Sequence, residues 1–274
     1  MIELKKLLAV LLFGGLAASS SCAVSRRAPD AATGSPRLVA FADPDGVARL
    51  GRSHHRVDFF QLANQFESQT NKAFCGPTSA AIVLNALRSG NDQIDKPQDP
   101  SLLPAEVRAQ LPKTFDPLYH RYTQNDLFTP AAEQVKTRNQ VLGQPRGPGA
   151  KPDPGLQLRQ LHEILRANGL DSRLRVVDAA LSDDAVRTEL AANLATAGDY
   201  VIVNYFRPAL GQGGGGHISP LGAYDDTSDA FLILDVNPNG HTWVWAPAAA
   251  LIHAMRTPDT TENRGYLLVR EGAR

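Results

Sequence analysis

Apolar positions along this chain change from helical to strand spacing near residue 170, and that change sets the expected architecture. The run Ala80-Ala81-Ile82-Val83-Leu84-Asn85-Ala86-Leu87 joins apolar spacing to good helix formers, which predicts a buried helix opening at Cys75. Residues 156–168 keep helical spacing and stop at Asn168-Gly169. Between them, residues 143–155 are dense in Gly and Pro and predict a long, mobile loop. From Arg173 onward strands are predicted over 174–177, 200–205, 231–236, 242–245 and 265–269. Ser182, Asp183 and Asp184 open one intervening helix that reaches about Ala197. The expected fold class is therefore α+β, with a helical part from about Cys75 to Gly169 and a sheet part after it. In the alternating Trp243 and Trp245, one core and one surface residue are expected.

The chain begins with Lys5 and Lys6 followed by an apolar stretch over 7–18, too short for a membrane span. This predicts a signal peptide over 1–21 and an exported, periplasmic protein. Leu16-Ala17-Ala18-Ser19-Ser20-Ser21-Cys22 suggests lipidation at Cys22; ordinary cleavage is the alternative, because Ser19 stands where an aliphatic residue is usual. Residues 22–52 read as a tether in which 37–41 could form a short strand, and 53–274 as one folded domain. The chain has 2 cysteines, Cys22 and Cys75, so no disulfide framework is available. A formal net charge of +0 gives nucleic-acid binding no electrostatic support. His54, His55, His120, His241 and His253 lack paired-ligand spacing, so no metal site is expected, and His162 is read as a surface residue. The glycine run 213–216 lacks the Lys-Ser/Thr ending of a phosphate loop.

Three residues carry the candidate chemistry. A thiol at the first turn of a helix, as Cys75 would be, faces unpaired N–H groups and the positive dipole end, which favour the thiolate. His217 follows the glycine run, where another chain segment can approach closely. Asp235 interrupts an apolar strand pattern, and an ionised carboxylate there needs a partner. Nucleophile, base and orienting carboxylate are thus all present. With Gln69 ahead of Cys75 as an oxyanion donor, the order Gln, Cys, His, Asp is that of a papain-type thiol hydrolase.

The segments around Phe66 to Gly76, Val83 to Leu87, Val201 to Arg207, Gly216 to Leu221 and Leu234 to Val236 resemble the catalytic domain of phytochelatin synthases, most nearly the short bacterial members. That resemblance implies a papain-like two-lobed fold, with the nucleophile on a helical lobe and His and Asp on an antiparallel sheet lobe. It implies glutathione as substrate, Cys75 as nucleophile, His217 as base, Asp235 as orienting carboxylate and Gln69 as oxyanion donor. Asp259 and Arg264 resemble the residues that hold the γ-glutamyl end, and Arg207 and Gly216 are assigned with them to substrate binding. The activity implied is γ-glutamylcysteinyl transfer from glutathione to water, mainly, or to a second glutathione. The alternatives are a papain-like peptidase for exported peptides and a non-catalytic metal-binding lipoprotein. No cofactor is expected to be required; stimulation by cadmium or zinc as glutathione thiolate complexes, and a homodimer, are left open. Membrane contact is expected only through a lipid anchor at Cys22. The basic, aromatic run usual in that family after Asp235 is replaced here by Asn237-Pro238-Asn239-Gly240-His241.

Overall fold

The computed structural model describes residues 36–98, 103–237 and 239–273; the expected signal peptide and Cys22 lie outside them. Strands β1 (Val39–Ala40), β2 (Leu170–Val176), β3 (Asp199–Phe206), β4 (Gly216–Asp225), β5 (Ala230–Ile233), β6 (Val244–Pro247) and β7 (Gly265–Glu271) form one sheet in the order β1-β6-β5-β4-β3-β7-β2. Every neighbouring pair is antiparallel. The helices are α1 (Pro44–Arg52), α2 (Val57–Asn64), α3 (Cys75–Arg88), α4 (Ala105–Arg108), α5 (Arg138–Val141), α6 (Leu158–Ala167), α7 (Asp183–Leu194) and α8 (Ala248–Met255).

Both faces of the sheet are covered, which is why its strands read as continuous apolar runs rather than alternating ones. Along β3, Ile202 joins the core built from α2, α3 and α6, whereas Val201 and Val203 join the core built from α7 and α8. Successive side chains of one strand thereby bind two helical layers together. The mixed helix and antiparallel-sheet class is as expected. No helix among the described residues is long and apolar enough to cross a membrane.

Several elements depart from the sequence expectations. Residues 44–52 were assigned to the tether and instead form α1, opened by Pro44 and tied to the sheet by Arg52 donating to Asp225 at 2.6 Å. Trp243 is not a surface residue: its ring packs against Phe41, Phe59 and Phe66, while Trp245 is fully buried. The Gly/Pro loop is anchored by a buried cation, since Lys136 Nζ donates to the carbonyl of Asp153 at 2.7 Å and to its carboxylate at 2.9 Å. At α7 the expectation holds, with Ser182 Oγ accepting from Ala185 N at 3.2 Å.

One buried acid has no partner. Asp58 on α2 is 1% exposed, and neither carboxylate oxygen accepts a hydrogen bond. Burial, reinforced by the nearby Asp199, pushes its pKa up to about 8. The neighbouring Tyr200 is raised by burial and by Asp58 to about 12, so it stays neutral beside this carboxyl. A raised folded-state pKa means that folding takes up a proton between the unfolded and folded values, so stability falls as pH rises through that window. The slope is about 1.4 kcal/mol per pH unit at most. Asp58→Asn is expected to remove most of it; denaturant titrations at pH 6 and pH 8.5 that gave both proteins the same pH difference would show that Asp58 does not hold this proton.

Candidate active site

Cys75 is the first residue of α3, placed by a tight turn over 69–74. In that turn Asn71 Oδ1 accepts from Ala73 N at 3.0 Å, and the Asn71 carbonyl accepts from Phe74 N at 3.3 Å. Gln124, invisible to sequence reasoning, fixes the turn from below: its Oε1 accepts from Thr70 N and Oγ1, each at 3.0 Å, and its Nε2 donates to the Ser68 carbonyl at 2.9 Å. One hydroxyl joins the nucleophile's helix to the histidine's strand, since Ser79 Oγ lies 2.8 Å from the Cys75 carbonyl and 3.2 Å from that of Ile218. Gly76 allows the close approach, because a Cβ there would stand 3.2 Å from Leu156 and 3.5 Å from Ile218.

His217 lies in β4 directly opposite Tyr205 of β3, and its ring meets the tyrosine ring edge-on at 5.7 Å. Its Nε2 stands 3.1 Å from Asp235 Oδ1, a close charge contact whose angle is off the hydrogen-bond optimum in this resting arrangement. Asp235 falls just beyond the end of β5 rather than inside it. Its carboxylate accepts from Arg207 Nη2 at 2.7 Å, from Tyr205 Oη at 3.2 Å and from Asn237 N at 2.8 Å. Arg207 is 3% exposed, and its Nη2 is the counter-ion that makes a buried carboxylate tenable, while the residue also lines the cavity beside His217. The sequence signal was an arginine closing an apolar strand.

These contacts set the charges. Burial raises the Asp235 carboxyl, but His217, Arg207 and the Asn237 N–H together hold it below the usual carboxylate range. Burial lowers His217, and the adjacent Asp235 and Cys75 outweigh that, so its pKa is raised. Burial pushes the Cys75 thiol up, while His217 and the backbone N–H groups of Ile218 and Gly76 bring it net down. The thiol is thus made more acidic and the imidazole more basic than their free forms, beside a buried carboxylate.

Cys75 and His217 open into a cavity of about 490 Å³ that is also lined by Asn204, Gly216, Asp259 and Arg264, with the anchored loop supplying Pro154, Gly155 and Leu156. Asp259 and Arg264 are brought together as expected: Arg264 Nη2 is 3.3 Å from Asp259 Oδ1, and Asn204 Nδ2 donates to Asp259 Oδ2 at 2.9 Å. Arg264 also donates to Thr257 Oγ1 at 3.1 Å and to the Pro258 carbonyl, and its guanidinium lies over the Phe206 ring. Its Nε is buried without a partner. Gly216 shapes this end, since a Cβ there would sit 2.8 Å from Arg264 Nη2. Gln69 is placed less directly. Its Nε2 donates to the Asn71 carbonyl at 2.7 Å, and it lines a second cavity that shares His217 with the first. Among the described residues no group of three or more His, Cys, Asp or Glu side chains converges as a metal site would require.

A family model described as phytochelatin synthase matches residues 32–103 and 112–266. A glutathione gamma-glutamylcysteinyltransferase 3 of Lotus japonicus is 28% identical over 242 residues, covering 86% of this chain and 43% of the relative. A glutathione gamma-glutamylcysteinyltransferase 2 of Arabidopsis thaliana is 29% identical over 247 residues, covering 86% of this chain and 45% of the relative. A glutathione gamma-glutamylcysteinyltransferase of Schizosaccharomyces pombe is 24% identical over 214 residues, with 77% of this chain and 43% of the relative covered. The chain thus spans less than half the length of these relatives.

Two predictions follow from the geometry. Alkylation of Cys75 by iodoacetamide should show a midpoint below the ~8.5 of a free thiol, and Asp235→Ala should move it upward by weakening the imidazolium; a wild-type midpoint at or above 8.5 would rule out the ion pair. Gly216→Ala should raise KM with little change in kcat, because the new methyl displaces Arg264 while leaving Cys75 and His217 in place; an unchanged KM would mean that Arg264 does not face substrate.

Proposed function

We propose, because this chain belongs to the phytochelatin synthase family and carries the cleft just described, that it cleaves the Cys–Gly peptide bond of glutathione through a γ-glutamylcysteinyl thioester on Cys75. The observation that carries this reading is a preformed Cys75–His217–Asp235 array opening into a cavity whose far end holds Asp259 beside Arg264. A γ-linked glutamate leaves an α-amine and an α-carboxylate free at one end, and an acid beside a base matches that pair of charges. An ordinary peptide would not need it. The reading includes a papain-like division of labour, with the nucleophile at a helix start and its base on a strand.

In the resting state His217 holds the proton that Cys75 has lost. The thiolate attacks the carbonyl carbon of the Cys–Gly bond, and the developing oxyanion is received by the Cys75 backbone N–H, one of the orphan donors at the start of α3. The Gln69 amide has two N–H donors, and one remains after the bond to Asn71. The C–N bond breaks as His217 gives its proton to the departing glycine nitrogen. Neutral His217 then takes a proton from water, whose oxygen attacks the thioester and releases γ-glutamylcysteine with the thiolate restored. A second glutathione amine replaces water when chain extension occurs, and hydrolysis is the main course. Activity should decline at acid pH as the thiolate is protonated and at alkaline pH as His217 loses the proton the leaving group needs. No cofactor enters these steps. Export to the periplasm with an anchor at Cys22 belongs to the same proposal.

The test is product analysis by mass spectrometry with millimolar glutathione. Glycine and γ-glutamylcysteine should appear first, Cys75→Ala should give neither, and Asp235→Ala should be slower by orders of magnitude while Asp235→Asn keeps more activity, since it preserves a group able to orient His217. Cleavage of ordinary Cys-Gly peptides at rates equal to glutathione would favour a general peptidase, and longer γ-glutamylcysteinyl chains appearing first would reverse the assignment of water as main acceptor.

A further inference from the structure

The two cavities flanking His217 share Asn71, Lys72, Gly216 and His217, and so form one cleft. Cys75 and the Asp259–Arg264 pair lie in one half; the glycines 213–215, Asn239 and His241 line the other. That division orders a bound substrate. With the γ-glutamyl end on Asp259 and Arg264 and the scissile carbonyl on Cys75, everything beyond the scissile nitrogen passes His217, which must protonate it, into the second half.

Among the described residues no carboxylate lines that second half, and its cations are unequal. Arg207 is buried and bound to Asp235 through Nη2 at 2.9 and 2.7 Å from the two oxygens. Lys72 is exposed at the junction of the halves and, among the described residues, forms no ion pair and no side-chain hydrogen bond. It stands three residues before Cys75, on the turn that Gln124 and Asn71 hold in place. An uncommitted ammonium at this point lies beside the path just traced for the leaving group.

We infer that Lys72 receives the carboxylate one carbon from the scissile nitrogen, that of the departing glycine, and so makes the site selective for substrates ending in a free carboxylate at that place. This rests on the glutathione reading above. Lys72 is a specificity residue in this account: it acts on binding and leaves the chemistry to Cys75 and His217. The same contact serves an incoming α-amino acid, whose amine and carboxylate have the same separation, so leaving and entering amines share one recognition point.

The experiment compares glutathione with its glycine monoethyl ester, which lacks that negative charge, for wild type, Lys72→Ala, Lys72→Arg and Lys72→Glu, reading glycine or glycine ethyl ester released. Wild type should prefer glutathione in kcat/KM by about three- to tenfold, chiefly through KM, the scale of one partly exposed charge contact. Lys72→Ala should erase the preference, Lys72→Arg should keep it, and Lys72→Glu should invert it. Equal preference in all four proteins, or equal losses on both substrates, overturns the Lys72 assignment while glycine release by wild type leaves the glutathione reading standing. Absence of Cys75-dependent glycine release from wild type overturns both.

Discussion

A carboxylate buried among apolar strands is the constraint around which the rest of this molecule is arranged. Asp235 stays ionised only because Arg207, Tyr205, the Asn237 N–H and His217 converge on it from two strands and the segments that follow β3 and β5. Tyr205 comes from the interior of β3, Arg207 follows that strand's end, His217 comes from β4, and Asp235 follows β5. Ionising an isolated carboxyl at such depth would be prohibitive, as unpartnered Asp58 illustrates by remaining protonated well above the usual range. The comparison of the two acids is instructive: similar burial, opposite shifts, and the difference is made entirely by partners.

From that fixed charge the shifted acidity of the thiol follows in two steps. Asp235 raises the proton affinity of His217, and His217 with two backbone N–H groups lowers that of Cys75. The helix start contributes what any helix start contributes, and the sheet contributes the rest. Ser79 closes the circuit mechanically by tying the carbonyl of Cys75 to that of Ile218, next to the base.

Much of this was legible in the chain. Cys75 before an apolar helix, His217 after a glycine run and Asp235 in an apolar stretch announced themselves because each residue type is out of place unless it has a use. Strand β4 was harder to read, since Ser219, Pro220 and Gly222 look like punctuation. Its pairing with β5 shifts register between Leu221 and Ala223, where Gly222 is the extra residue. Helix α8 is so uniformly apolar that no amphipathic stripe marks it, because it packs deep in the second core. The pairing of Arg207 with Asp235 gave no local signal, since the two lie 28 residues apart. Gln124 gave no signal at all, since its role lies in contacts with Ser68 and Thr70, far away in sequence.

The cross-strand pairing of Tyr205 with His217 has a consequence for how such a protein can change over generations. A ladder in register fixes the base relative to the carboxylate's phenolic and cationic partners, whatever the length of the segments that lie beyond it. Residues 213–215 and 239–241 belong to no strand, yet they wall one half of the cleft. Insertions and deletions there can reshape the cleft without moving Cys75, His217 or Asp235. Chemistry and taste are thus inherited on separate stretches of chain, one held rigid by hydrogen-bonded strands and the other open to variation.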